Sequence, residues 1–156
     1  MIIPDNLLQQ CDTLFLDRDG VVNVWLPGDY VKSWEEFRFN PGFLDFIGRD
    51  SGLFKHIFIV TNQRGVGKGV MTMQQLEDIH ARMLQAIADA GGRIDRIYLC
   101  TAVDDTDPMR KPNKGMALQA MQDYPDVTMQ HSLMIGDQPS DRQFAHNCGM
   151  DFLLWE

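Results

Sequence analysis

The chain is short of positive charge, nearly free of cysteine, and has no long apolar run. Lys and Arg number 14 against 22 Asp and Glu, a formal net charge of −8 over 156 residues. Such a surface repels nucleic-acid backbones and anionic membranes, so neither is an expected partner. Cys11, Cys100 and Cys148 are too few and too scattered for a disulfide framework, and no Cys-x-x-Cys offers a zinc knuckle. No apolar stretch approaches a membrane span. The opening Met-Ile-Ile-Pro-Asp-Asn has no basic segment followed by an apolar one, so no signal peptide and a cytoplasmic location are expected. The remaining composition, 44% hydrophobic and 23% charged, is that of a folded domain, and the length predicts one domain over 1–156.

Short β-like runs alternate with amphipathic helical segments. Thr13–Leu16, Ile57–Val60, Ile97–Cys100, Ser132–Ile135 and Phe152–Trp155 read as strands. Asn40-Pro41 reads as a helix start ahead of Phe43, Leu44, Phe46 and Ile47, with a stop near Ser51-Gly52. Thr72 and Gln75 form a capping box before Met73, Leu76, Ile79, Met83, Leu84 and Ile87, and Gly91-Gly92 ends that helix. A helix after Lys114 carries Met116, Leu118 and Met121, and Ser140 is a candidate cap for a last helix running to Cys148. Strand alternating with helix predicts a three-layer α/β sandwich around a parallel sheet, Rossmann-like in layout.

In such sheets ligands sit beyond the carboxyl ends of the strands. The residues there are Asp17-Arg18-Asp19, Thr61-Asn62-Gln63, the Cys100–Lys114 loop with Arg110-Lys111, and Gly136-Asp137. Taken singly, each is ordinary turn or surface chemistry. Together they supply carboxylates for magnesium and a hydroxyl and an ammonium for a phosphate. An Asp at a strand tip can act as nucleophile, and a second acid can move protons for it.

These segments resemble the four motifs of the haloacid-dehalogenase-type phosphatases. Leu16-Asp17-Arg18-Asp19-Gly20-Val21-Val22-Asn23 is similar to the first and Val60-Thr61-Asn62-Gln63 with Gly65-Val66 to the second. Arg110-Lys111-Pro112 with Gly115-Met116 resembles the third, and Ile135-Gly136-Asp137 with Asp141 the fourth. The likeness runs from about Leu14 to the C-terminus and is strongest to the branch acting on heptose bisphosphate and histidinol phosphate. It implies Asp17 as nucleophile and magnesium ligand, and Asp19 as acid/base with its carbonyl on the metal. Asp137 becomes the further metal carboxylate. Thr61 and Lys111 hold the phosphoryl group, and Asp141 supports the fourth loop. Asn62, Gln63 and Arg110 contact the substrate. The implied reaction is magnesium-dependent phosphomonoester hydrolysis through an aspartyl-phosphate, on heptose bisphosphate first and histidinol phosphate second.

Two departures from the family pattern stand out. Related phosphatases carry a Cys/His zinc loop before the third motif; here Cys100 remains, but Ala102 and Met109 stand at would-be ligand positions among Asp104, Asp105 and Asp107. Carboxylates suit a thiolate zinc site poorly, so no structural zinc is expected. Gln138 follows Asp137, where relatives often have a basic residue.

Short spacings between motifs leave no room for a large cap domain. The cover is expected from the Trp25–Trp34 segment and the Cys100–Lys114 loop, with Trp25, Tyr30 and Trp34 near the entrance or, for Trp34, in the core. Gly65-Val66-Gly67-Lys68-Gly69 is not a nucleotide P-loop, since Gly69 replaces the metal-binding hydroxyl; it reads as a flexible loop. No cysteine has an arginine six residues on, which excludes a cysteine phosphatase. A receiver-type phosphoacceptor and a non-catalytic scaffold are the rival readings. A monomer acting on a small phosphorylated molecule is expected.

Overall fold

The computed structural model describes residues 1–156 throughout. Strands β1 (Thr13–Leu16), β2 (His56–Asn62), β3 (Arg96–Cys100), β4 (Ser132–Gly136) and β5 (Asp151–Leu154) form one sheet. All neighbours are parallel and the order is β3-β2-β1-β4-β5. Leu16, the last residue of β1, is registered with Ile59 on one side and Ile135 on the other; β4 runs one residue further, to Gly136, and β2 three, to Asn62. The strand order reverses between β1 and β4, the place where open α/β sheets form ligand crevices. A receiver domain has the order 2-1-3-4-5; this sheet does not.

The helices are α1 (Asp5–Gln10), α2 (Phe43–Asp50), α3 (Arg64–Gly67), α4 (Met73–Asp89), α5 (Gly115–Asp123) and α6 (Pro139–Cys148). The pleat sorts the strand residues onto two faces. Leu14, Leu16, Ile57, Ile59, Leu133 and Ile135 pack with Phe43, Phe46 and Ile47 of α2 and Leu76, Ile79, Met83 and Ile87 of α4. Phe15, Phe58, Val60 and Met134 pack with Met116, Ala117 and Ala120 of α5 and Phe144 and Ala145 of α6. On that second face the Phe15 and Phe58 rings lie 5.3 Å apart, both fully buried. Truncating either to alanine costs about 3–5 kcal/mol.

The Thr72–Gln75 capping box forms as read. Other boundaries differ from the sequence reading. The Asn40-Pro41 signal does not start a helix: α2 begins at Phe43 after Gly42, whose φ is +85°. Asn40 instead uses its side chain to hold the carbonyls of Val21 and Asn23. Ser140 is not a cap, because α6 begins one residue earlier at Pro139, with Gln138 and Asp141 as a reciprocal capping pair. The Gly65–Gly69 stretch is no open loop, since its first part is the single helical turn α3.

No cap domain is inserted after β1. Residues 20–40 form a small flap, pinned where Asn23 bridges both Asp19 and Phe39 and where Val24 N–H donates to Arg38 O at 2.8 Å. Trp34 stacks on Phe37 at 5.0 Å and belongs to the flap's aromatic packing rather than the entrance. No helix is long and apolar enough to cross a membrane.

Candidate active site

A cavity of about 350 Å³ opens beyond β1 and β4. Asp17, Asp19, Asn62, Gln63, Arg110, Lys111 and Asp141 all line it. The flap contributes Trp25, Leu26, Asp29, Tyr30 and Val31, and Gln138 and Ser140 close the side at α6. Leu26, Asp29 and Val31 belong to the Trp25–Trp34 cover expected from the sequence, and Gln138 to the fourth motif; Ser140, read as a helix cap, is placed at the cavity only by the fold.

Asp17 follows β1 directly and is 7% exposed. Its Oδ1 accepts from Lys111 Nζ at 2.8 Å, and the same ammonium donates to Asp141 Oδ1 at 2.8 Å. Asp17 Oδ2 accepts no hydrogen bond and is left for other chemistry. Burial, outweighing Lys111, pushes the Asp17 carboxyl well above its usual range, and Asp141 and Asp19 add to the rise. Burial opposes the charge on Lys111 as well, but Asp17 and Asp141 outweigh it and raise Lys111 above the usual lysine range. The ammonium is therefore permanent.

Asn62 brackets the Lys111 backbone: its Oδ1 accepts from Lys111 N–H at 3.0 Å and its Nδ2 donates to Lys111 O at 3.1 Å. The Lys111-Pro112 peptide is cis. Asp141 is 1% exposed, and its Oδ2 accepts from the backbone N–H of Asp137 and of Gln138, both at 3.2 Å. Gly136 permits this, because a Cβ there would collide with the Asp141 side chain. Asp141 thus ties the tip of β4 to Lys111.

Asp19 is gripped on both oxygens. Oδ1 accepts from Arg18 at 2.7 and 3.3 Å and from Asn23 Nδ2 at 2.9 Å. Oδ2 accepts from Gln63 Nε2 at 2.9 Å. Burial favours the neutral form, but Arg18, Asn23 and Gln63 together hold the carboxyl below the usual range. Gln63, read from sequence as a substrate contact, is 2% exposed and spends its amide on Asp19 and on Thr61 Oγ1, the latter at 2.8 Å. Thr61 lies beneath it at 1% exposure and does not line the cavity. Its hydroxyl accepts from Gln63 and donates to no protein group.

Arg110 reaches the rim, where its Nε donates to Asp105 Oδ1 at 3.0 Å. Arg64 of α3 donates to the same oxygen at 2.6 Å. The loop around Asp104, Asp105 and Asp107 is held by these pairs and by its own carboxylates. Asp104 takes Thr106, and Asp107 takes the Met109 N–H and, at 3.9 Å, the Cys100 thiol.

Asp17, Asp137 and Asp141 bring carboxylate oxygens within 4.8 Å of one another. Three carboxyl groups share the single ammonium of Lys111, an excess of acid that a divalent cation would offset. Asp137 Oδ1 is buried and has no hydrogen-bond partner, while its Oδ2 is held by Gln138 Nε2 at 3.0 Å. The Asp19 carbonyl accepts no hydrogen bond either. Gly20, with φ +99°, lets the backbone pass against Asp137, since a Cβ there would meet its carboxylate. Hard oxygen donors of this kind suit magnesium.

The HAD-hydrolase-like family model matches residues 108–156. A D-glycero-alpha-D-manno-heptose-1,7-bisphosphate 7-phosphatase of Mycobacterium bovis is 36% identical over 135 residues, 86% of this chain and 71% of that protein. The beta-anomer 7-phosphatase of Helicobacter pylori is 32% identical over 82% of this chain and 73% of that protein. The structure of the D,D-heptose 1,7-bisphosphate phosphatase of B. bronchiseptica, complexed with magnesium and phosphate, aligns with TM-score 0.85 and 35% identity, covering 92% of this chain and 79% of that one.

Proposed function

We propose that this chain, which belongs to the haloacid-dehalogenase-like hydrolases and cleaves phosphoric monoesters, acts on a D-glycero-D-manno-heptose 1,7-bisphosphate and removes the 7-phosphate. The observation that carries the reading is the Asp17–Lys111–Asp141 bridge, set in a polar cavity where the strand order reverses. The relatives' substrate fits a cavity with Lys111 at its base and Arg110 at its rim, one cation for each phosphate of a bisphosphate.

Asp17 Oδ2 attacks phosphorus, forming an aspartyl-phosphate as the bond to the sugar oxygen breaks. Asp19 gives that oxygen its proton. It is ionised as the site stands, and the approach of an anionic phosphate favours its protonation. In the second step the Asp19 carboxylate takes a proton from water, which attacks phosphorus and frees Asp17. Lys111 stabilises charge developing on the phosphoryl oxygens, while Thr61, behind Gln63 and outside the cavity lining, accepts from the Gln63 amide. Asp17, Asp137 and the Asp19 carbonyl would hold magnesium, which neutralises charge on nucleophile and phosphate when bound. Asn62 serves by fixing Lys111, and Gln63 by fixing Asp19.

The test is phosphate release from a panel of phosphorylated metabolites, with magnesium and with EDTA, by wild type and Asp17→Asn. Release of the 7-phosphate alone from one heptose bisphosphate anomer, magnesium-dependent and absent in the variant, is expected. Preferred release from histidinol phosphate would move the substrate assignment. Release that survives Asp17→Asn would end the nucleophile assignment.

A further inference from the structure

The reaction uses Asp19 but gives Arg18, the residue between the two acids, no task. A buried guanidinium is costly unless its donors are met. Arg18 is 0% exposed. It shares the pleat parity of Leu14 and Leu16, so it turns away from the cavity toward α4. There each of its three nitrogens has a partner. Nε and one terminal nitrogen donate to Asp19 Oδ1, the other terminal nitrogen lies 3.1 Å from His80 Nε2, and the Phe37 ring lies 5.9 Å away.

Arginine only donates, so His80 Nε2 must accept; His80 is neutral with its proton on Nδ1. It is 7% exposed on α4, a helix packed into the core by Leu76, Ile79 and Met83. A rigid helix thus holds one end of a three-residue chain, and the acid/base carboxylate lies at the other.

We propose that His80 is a positioning residue: through Arg18 it fixes Asp19 in the orientation that delivers a proton to the leaving oxygen. This rests on the reading of Asp19 as acid/base. Neither Arg18 nor His80 exchanges a proton. The proton passes from Asp19 to the leaving oxygen as its bond to phosphorus breaks and the Asp17–phosphorus bond forms. Without His80 the guanidinium loses its third anchor and Asp19 Oδ1 follows a looser fork. Misplacement of a reacting group by an ångström costs up to about a hundredfold in rate.

Two substrates separate positioning from mere folding. A sugar phosphate has an alkoxide leaving group that needs the proton; p-nitrophenyl phosphate has one that does not. Here kcat/KM for each is measured with wild type, His80→Leu, His80→Gln and Arg18→Lys, after circular dichroism on each. Gln keeps an acceptor near the Nε2 position, while Leu has none. His80→Leu is expected to lower kcat/KM for the sugar phosphate by about tenfold or more and for p-nitrophenyl phosphate by under about threefold. His80→Gln is expected to recover most of the loss. Arg18→Lys, which cannot form the fork, should show the same selectivity and serves if His80→Leu does not fold. Equal losses on both substrates, or none, would overturn the proposal. Asp19→Asn is run beside them. If it loses both substrates alike, the acid reading fails and the proposal with it. If it discriminates while His80→Leu and Arg18→Lys do not, the positioning role alone fails.

Discussion

Lys111 Nζ stands 2.8 Å from Asp17 Oδ1 and 2.8 Å from Asp141 Oδ1, so one ammonium joins the tip of β1 to the first turn of α6. It is 4% exposed, and both partners are buried with it. Such a pair is expensive to break from one side, because each remaining charge is left without compensation. The same arrangement places a fixed positive charge beside the proposed nucleophile.

Replacing Lys111 by Met should therefore act twice. Turnover of the preferred phosphate should fall by about 10²–10³-fold, the usual scale for one preorganised electrostatic donor. Stability in EDTA should fall by about 3–5 kcal/mol in urea titrations, as Asp17 and Asp141 lose their counter-charge. Added magnesium should return part of the stability but not the turnover.

Asp17→Asn should leave circular dichroism unchanged and reduce phosphate release by at least about 10⁴-fold, as removing a nucleophile does in comparable enzymes. Acid quench of wild type with labelled substrate should trap phosphate on the protein, and the variant should trap none.

Magnesium should raise the melting temperature. At a hundredfold excess over its dissociation constant, a ligand of the folded state adds about 2.7 kcal/mol. Asp137→Asn should lose most of that rise, since it removes charge from the carboxylate whose Oδ1 has no protein partner. Gly20→Ala should do the same by displacing Asp137, at the further cost of a strained backbone.

His80 sets a pH dependence of stability. Burial first, and then the Arg18 charge, push it down to about 3, while Asp19 acts the other way. Its pKa is lower folded than unfolded, so the unfolded chain binds the proton first. The stability it contributes is intact above the unfolded value of about 6.5 and is lost as pH falls from there toward 3. Between pH 7 and pH 5 this amounts to about 2 kcal/mol. His80→Gln should remove that component, measured as the difference between urea midpoints at the two pH values; an unchanged difference would refute it.

The elements were legible where periodicity and caps speak. The Thr72 box, the five apolar runs and the two glycine stops correspond to observed features because each is a local signal. The misplaced helix starts have separate causes: the Asn40 side chain is claimed by the flap carbonyls, and Pro139 opens α6 one residue ahead of Ser140, with Gln138 at the cap position. Motif spacing gathered Asp17, Asp19, Lys111 and Asp141, since the carboxyl ends of neighbouring parallel strands open onto the same edge of the sheet. What it did not reveal was the division of labour among them. Gln63 and Asn62 turned out to hold other site residues, and that depends on which way an amide points. Arg18 and His80 are 62 residues apart, and no local pattern links them.

The parity of β1 carries a further consequence. Leu14, Leu16 and Arg18 face one side of the sheet and Phe15 and Asp17 the other. Inserting or deleting one residue between Thr13 and Asp17 would invert this frame, driving a guanidinium into the phosphate pocket and a carboxylate into the oil of α2 and α4. The active centre is thus written in a two-letter phase. Evolution can exchange the side chains of this strand one at a time, but it cannot change their number by one.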